Sequence, residues 1–308
     1  MTDARLKFPA ELSGFAFGDA RLDRSDALRD DADALLRLWP LARVIVLEVD
    51  GSAFADEAGR LLVTHGAALG SGPGTAVFLG LHGEQAWFSV DAEVLQLTAP
   101  RRVDLRSAAA AWPVAESSAF AFARAMQHWR GRSRYCGICG GGIEFRRAGY
   151  VAHCTQCATD HYPRVDPAVI VAVSDGERLL LGRQTGWPAR RYSVIAGFVE
   201  PGESLEQTVV REVFEETRVR VRSCRYLGAQ PWPFPGALML GFAADAEPDP
   251  PQVDGELEEA RWFDLEEIAA ARQRKGDDES GILLSPRISI ARSLIEHWYA
   301  GMTAASGA

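Results

Sequence analysis

Apolar positions in the first third of the chain come in short runs of strand length, residues 42–51, 59–66, 75–83 and 85–91, each closed by glycine or aspartate. Runs bounded in this way predict strands, so this part reads as a β-rich domain. His65 and His82 end two of the runs and read as surface or packing residues, and no catalytic constellation stands beside them. The charges of Asp23 and Arg24 carry no assignment. Over residues 116–130 the period changes: Phe122, Met126 and Trp129 fall on one helical face, and Gly131 is expected to end that helix. Residues 168–173 and 178–181 read as a hairpin across Asp175 and Gly176. Ser204 with Gln207 three positions on reads as a capping box, so a helix should begin near Leu205. Leu205, Val209 and Val213 then form its buried stripe. A closing helix is expected over residues 288–299.

The opposite sector of the Leu205 helix carries the first sign of chemistry. Glu212, Glu215 and Glu216 lie within about 100° of one another at 3.6 residues per turn. Like charges at this spacing weaken a helix unless something positive sits between them. Hard divalent cations, which take oxygen ligands, answer that need. An isolated glutamate-rich helix would describe only a solvated face; here the surrounding positions are patterned as well.

Cys136 and Cys139, then Cys154 and Cys157 after fourteen residues, have the spacing of a four-cysteine zinc ribbon. Four thiolates complete a tetrahedron, so the expected zinc is structural, with His153 and His161 flanking the second pair. A pair of disulfides is the competing reading, disfavoured in a reducing compartment. Cys224, alone in its segment, reads as a buried core residue. Pro231, Pro233 and Pro235 exclude a central strand, since each removes a ladder donor, and are expected to stiffen a loop presenting Trp232 and Phe234.

Gly197, Glu203, Arg211, Glu212, Val213, Glu215, Glu216 and Val219 together resemble the Nudix box. The one departure is Arg218, where the family has a glycine at the helix exit. Gln230 to Pro235, flanked by Ala229 and Ala237 in place of two serines, is similar to the segment that marks the NADH pyrophosphatase branch of that superfamily. The resemblance covers nearly the whole chain. It implies an α+β architecture: a Nudix fold with a mixed sheet between helices at 163–308, an N-terminal β-rich domain at 1–131 and the zinc ribbon at 132–162.

The implied reaction is hydrolysis of the diphosphate of NADH or NAD to nicotinamide mononucleotide and AMP, with removal of the NAD cap from RNA as a second activity. Glu212, Glu215 and Glu216 would hold Mg2+ or Mn2+, joined by the backbone carbonyl of Ala196 and by Glu256, with Glu259 as alternate. Glu216 is favoured for a direct role. Glu203 and Arg211 are implied to pair and fix the loop against the helix. Phe198 and Trp232 are expected to stack on a ring of the dinucleotide, with Tyr162 a third candidate that could act across a homodimer. Gln230, Phe234 and Ala291 complete the implied substrate contacts. The alternatives are hydrolysis of another nucleoside diphosphate derivative, such as ADP-ribose or a diadenosine polyphosphate, and a non-catalytic nucleotide sensor, which the complete set of glutamates disfavours.

Composition narrows partners more than fold. The 308 residues carry a net charge of −9, which argues against a general nucleic-acid-binding surface while allowing a local basic patch. No apolar run reaches membrane-spanning length and the first residues lack a signal core, so the expectation is a cytoplasmic protein without a membrane partner.

Overall fold

The computed structural model describes residues 12–18, 22–95, 97–253, 255–274 and 281–306. Its contacts divide the chain into two units that do not follow chain order. One holds residues 12–18 with 166–231 and 237–306; the other holds 22–165 with 232–236. The cysteine segment groups with the N-terminal strands, and two short stretches belong with partners far away in sequence.

In the N-terminal unit each predicted strand run contains a strand. β1 (Arg43–Leu47), β2 (Ala53–Ala55), β3 (Val63–His65), β4 (Val77–His82), β5 (Gln85–Asp91) and β6 (Arg101–Val103) form one sheet, ordered β4-β5-β1-β2-β6 with β3 paired to β1. Asp23 joins it through two backbone hydrogen bonds of 2.8 Å with Leu81, and the Arg24 guanidinium lies 3.4 Å from the centre of the Phe122 ring. The first contact anchors the Asp23 backbone to the sheet, and the second gives the Arg24 charge a place. The helices are α1 (Ala32–Leu38), α2 (Ala92–Leu95), α3 (Leu105–Ala111) and α4 (Val114–Arg132). α4 runs through Gly131 instead of ending there: Ser133 closes it, its N–H reaching the carbonyls of Trp129 and Arg130. A glycine ends a helix when the chain needs positive φ, and at Gly131 it does not. β7 (Ile143–Arg146), β8 (Val151–Cys154) and β9 (Asp160–His161) make the small antiparallel sheet of the cysteine segment.

The C-terminal unit is built around β10 (Asp166–Ser174), which is apolar along most of its length because both of its faces are covered. Val169, Val171 and Val173 point to one core with Val209 and Val213. Ile170 and Ala172 point to another with Leu294, Ile295 and Trp298. Alternation at period two thus places one sheet between two helical layers. β11 (Leu179–Gln184) follows as the predicted hairpin, and β12 (Arg191–Tyr192) and β13 (Ile195–Phe198) lead into α5 (Leu205–Thr217). β14 (Val221–Trp232), β15 (Ala237–Ala246) and β16 (Leu257–Phe263) complete the sheet in the order β14-β15-β10-β11-β16, with β13 on β10. β10 runs parallel to β15 and antiparallel to β11 and β13, so the sheet is mixed. α6 (Leu265–Gln273), β17 (Leu283–Leu284) and α7 (Ile290–Ser306) follow.

Pro231 lies inside β14, where the sequence predicted loop; β14 is at the sheet edge, where a missing donor is tolerated. The turn is confined to residues 233–236.

Candidate active site

α5 forms as its sequence dictates. Ser204 accepts from the Gln207 N–H and the Gln207 side chain accepts from the Ser204 N–H, closing the capping box. Val209 and Val213 are fully buried, each contributing about 1.5–3 kcal/mol of transfer free energy. The helix exits through Arg218 in the left-handed conformation, φ 60° and ψ 11°, so the arginine takes the shape a glycine would adopt there. Around this rod Glu215 is more than half exposed, Glu212 mostly covered and Glu216 only 3% exposed.

Arg211 is the hub. Its Nε and one terminal nitrogen reach the two oxygens of Glu203 at 2.6 and 2.8 Å, and that nitrogen also donates to the Phe198 carbonyl at 2.9 Å. The other terminal nitrogen lies 2.9 Å from Glu212 Oε1 and 3.3 Å from Glu215 Oε2. The expected Glu203–Arg211 pair is present, and the guanidinium also supplies positive charge between two of the helix glutamates. Sequence reasoning missed this second role, and it missed Thr208, a buried hydroxyl that donates to Glu203 at 2.9 Å.

With Arg211, the Glu200 N–H and Thr208 all favouring its charged form, the Glu203 carboxyl is held down at about 2 against an ordinary 4.5. A depressed carboxyl stabilises the fold fully above its unfolded value and loses that contribution as pH falls through its folded value. In melting experiments, Glu203→Gln is therefore expected to be less stable than the parent near pH 6, with the gap narrowing once the pH drops below 4.5. A gap constant between pH 6 and pH 3 would show that Glu203 acts there by packing alone.

Gly197 explains the box glycine. A Cβ at this position would stand 1.9 Å from Glu212 Cδ and about as close to both carboxylate oxygens, so any side chain displaces Glu212. Burial raises the pKa of Glu212, the Arg211 contact lowers it, and Glu215 and Glu256 raise it again. Glu256 is thus near enough to be felt by the box. Glu259, the alternate, is engaged elsewhere: its Oε2 accepts from the Tyr192 hydroxyl at 2.5 Å. Ala196 stands in β13 opposite Ile170, next to Gly197. Oxygen donors, a cradle kept open by a missing Cβ and negative charge accumulating on a partly buried carboxylate fit a hard divalent cation.

The cysteines gather more tightly. All four Sγ atoms lie within 4.8 Å of one another, and among the described residues no other group of three or more metal-type donors is drawn this close. Cys136 and Cys157 are 3.6 Å apart, and Cys139 and Cys154 3.5 Å. A tetrahedron with metal–sulfur bonds of about 2.3 Å places sulfurs about 3.8 Å apart, whereas a disulfide requires about 2 Å. The thiols are unbonded to one another, and their arrangement fits a four-coordinate metal. His161 Nε2 lies 3.3 Å from Cys136 Sγ, and His153 pairs with Asp160 at 2.6 Å.

A NUDIX domain matches residues 164–283. The NAD-capped RNA hydrolase NudC of Mycobacterium bovis is 39% identical over 298 residues, spanning 90% of this chain and 92% of that protein. The chain belongs to the NADH pyrophosphatase branch of the Nudix hydrolases. The NudC of Chromobacterium violaceum is 37% identical over 222 residues, 71% of this chain and 79% of that protein. NUDT12 of Macaca fascicularis, also an NAD-capped RNA hydrolase, is 40% identical over 194 residues, 59% of this chain and 42% of its own length.

In this Nudix hydrolase the residues expected to contact substrate divide. Gln230 is 0% exposed, its amide donating to the carbonyls of Ala16 and Ile288 and accepting from the Ile290 N–H, all at 2.7–2.8 Å. With its polar atoms engaged it braces β14 against the start of α7. Ala291 is likewise buried, in the core with Leu294 and Ile295, where its methyl meets protein. Phe198 in the C-terminal unit and Tyr162 in the N-terminal unit present open rings, 60% and 64% exposed. Trp232 and Phe234 are partly covered and pack on each other, centroids 4.8 Å apart and planes at 56°. Cys224 is half-buried, not fully buried, and packs at the margin of the α5 core.

Proposed function

We propose that the protein hydrolyses the diphosphate of NADH and NAD, releasing nicotinamide mononucleotide and AMP, and that it removes the NAD cap from RNA by the same cleavage. One observation carries the reading: the box glutamates and their Gly197 cradle are intact in a chain resembling an NAD-capped RNA hydrolase over 90% of its length.

Mg2+ or Mn2+ would be held by Glu212, Glu215, Glu216 and Glu256 with the Ala196 carbonyl, and when bound neutralises the diphosphate oxygens and lowers the pKa of water. Glu216, the most buried of the three helix glutamates, takes the direct role toward the attacking water, the general base being one of these glutamates or Glu256. Arg211 keeps Glu212 and Glu215 turned toward one guanidinium and ties Glu203 and the Phe198 carbonyl to the same point. The exposed rings of Phe198 and Tyr162 supply stacking faces, each worth about 1–3 kcal/mol per base. The four cysteines hold zinc in a structural role. The family resemblance supports a homodimer, and the free thiols suit a reducing compartment such as the cytoplasm.

The test is parallel hydrolysis of NADH, NAD and ADP-ribose with Mg2+ or Mn2+. The reading expects both dinucleotides to be cleaved at least about tenfold more efficiently than ADP-ribose, which corresponds to 1.4 kcal/mol of transition-state preference. Equal rates would make the protein a general nucleoside diphosphate hydrolase.

A further inference from the structure

β16 breaks its alternation close to the box glutamates. Leu179 to Arg183 of β11 face Phe263 to Glu259 residue for residue, but the next pair is Gln184 with Leu257, so Glu258 is an extra residue on β16. A bulge of this kind bends its strand and re-aims the side chains beyond it. The packing shows the change of face. Ala260 and Trp262 pack on the core that holds Val209 and Val213 of α5, and Leu257 is buried in the same core. In an unbroken strand, period two would send Glu258 to that core and Leu257 away from it. The bulge exchanges them.

Arg183 takes up the displaced charge. One of its terminal nitrogens stands 2.6 Å from Glu258 Oε2, with the arginine side chain 13% exposed and the glutamate 49%. The other donates to the Trp187 carbonyl at 3.4 Å, while the buried Nε has no hydrogen-bond partner among the described residues. The pair with Glu258 is therefore the main anchor of a largely covered guanidinium. Removing one partner of such a pair leaves the charge of the other uncompensated.

Glu256 lies just beyond the bulge. On its other side Gly255 has φ +112°, and a Cβ there would meet nothing within 4 Å, so backbone shape and not space calls for glycine. The carboxylate is thus set between two backbone irregularities, and its charge is felt at Glu212.

We propose that Arg183 is a positioning residue for the catalytic metal: by holding Glu258 outside the α5 core it locks the bulge, and the bulge directs Glu256 toward Glu212. This rests on the reading of Glu256 and the box glutamates as ligands of Mg2+ or Mn2+. The contacts of Arg183 are with Glu258 and Trp187, so it acts through the course of β16.

Binding of Mn2+ is read from the loss of the free ion's paramagnetic resonance signal, without substrate. Arg183→Gln is expected to raise the Kd for Mn2+ about tenfold, equivalent to 1.4 kcal/mol. Glu258→Gln should do the same and the double variant no more, because a single pair is being removed. Arg183→Lys, which still brings a cation to Glu258, is expected to lose about threefold by the same conversion. Glu256→Gln should weaken binding at least as much as Arg183→Gln, and in its background Arg183→Gln should add less than about twofold. A merely structural role would lower the melting temperature and the number of sites per chain at constant Kd. That result, or full additivity of Arg183→Gln with Glu256→Gln, overturns the proposal. Arg183-dependent Mn2+ binding in a parent that cleaves no NADH supports the proposal and refutes the hydrolase reading. A parent that cleaves NADH but binds Mn2+ independently of Arg183 keeps the hydrolase reading and overturns the proposal.

Discussion

Glu216→Gln gives a folded protein that hydrolyses NADH about a thousandfold more slowly than the parent, the loss expected when a group acting on the transition state is removed. The substitution keeps the shape of the side chain and removes its charge. The α5 capping box and the buried Val209 and Val213 stripe are made by other residues, so the helix is expected to stay folded. Glu215→Gln provides the contrast. That carboxylate is more than half exposed and shares its charge with Arg211, so its loss should cost about tenfold, the scale of one weakened charge-assisted contact. Circular dichroism with single-turnover kinetics makes the comparison. If Glu216→Gln retained a tenth of parental activity, Glu216 would have no direct part in the reaction, and the general base would have to be sought at Glu212 or Glu256.

Cys154→Ser should be the most damaging change to the fold. Cys154 is fully buried, its sulfur accepts from the N–H groups of Gln156 and Cys157 at 3.4 Å, and the three strands around it are short. So small a sheet buries little apolar surface; where a structural metal is present its binding free energy, about 10–16 kcal/mol for zinc, is the folding free energy of such a module. The parent is expected to contain one zinc per chain. The variant should carry none, and its amides from Cys136 to His161 should exchange rapidly with solvent. A variant that kept the metal and slow exchange would show that the remaining donors, with His161 beside Cys136, suffice.

Local rules made much of this legible from sequence. Turn-bounded runs gave the strands, the capping box gave the start of α5, and the spacing of glutamates and cysteines gave two donor sets, because each signal is contained within about twenty residues. What the sequence left open depends on contacts distant in sequence. Gln230 looks the same in a sequence whether it faces a ligand or the carbonyls of Ala16 and Ile288, 214 and 58 positions away. Ala291 sits on the inner face of a helix whose orientation only packing sets. Glu256 and Glu259 were interchangeable until Tyr192 was seen to hold Glu259. Pro231 was barred from a central strand, correctly, but the sequence did not say that β14 is an edge. Grouping 232–236 with the N-terminal unit required knowing where Arg106 and Arg124 meet Phe234.

The central claim is that water attacks the diphosphate of a nicotinamide dinucleotide, and the most direct test is to identify the products of NADH. Purified protein with Mn2+ is incubated with NADH and the mixture separated chromatographically. Reduced nicotinamide mononucleotide and AMP appearing in equal amounts, and absent with Glu216→Gln, is the predicted result. Release of free nicotinamide with ADP-ribose, which places the cleavage at the glycosidic bond, or recovery of intact NADH, would contradict it.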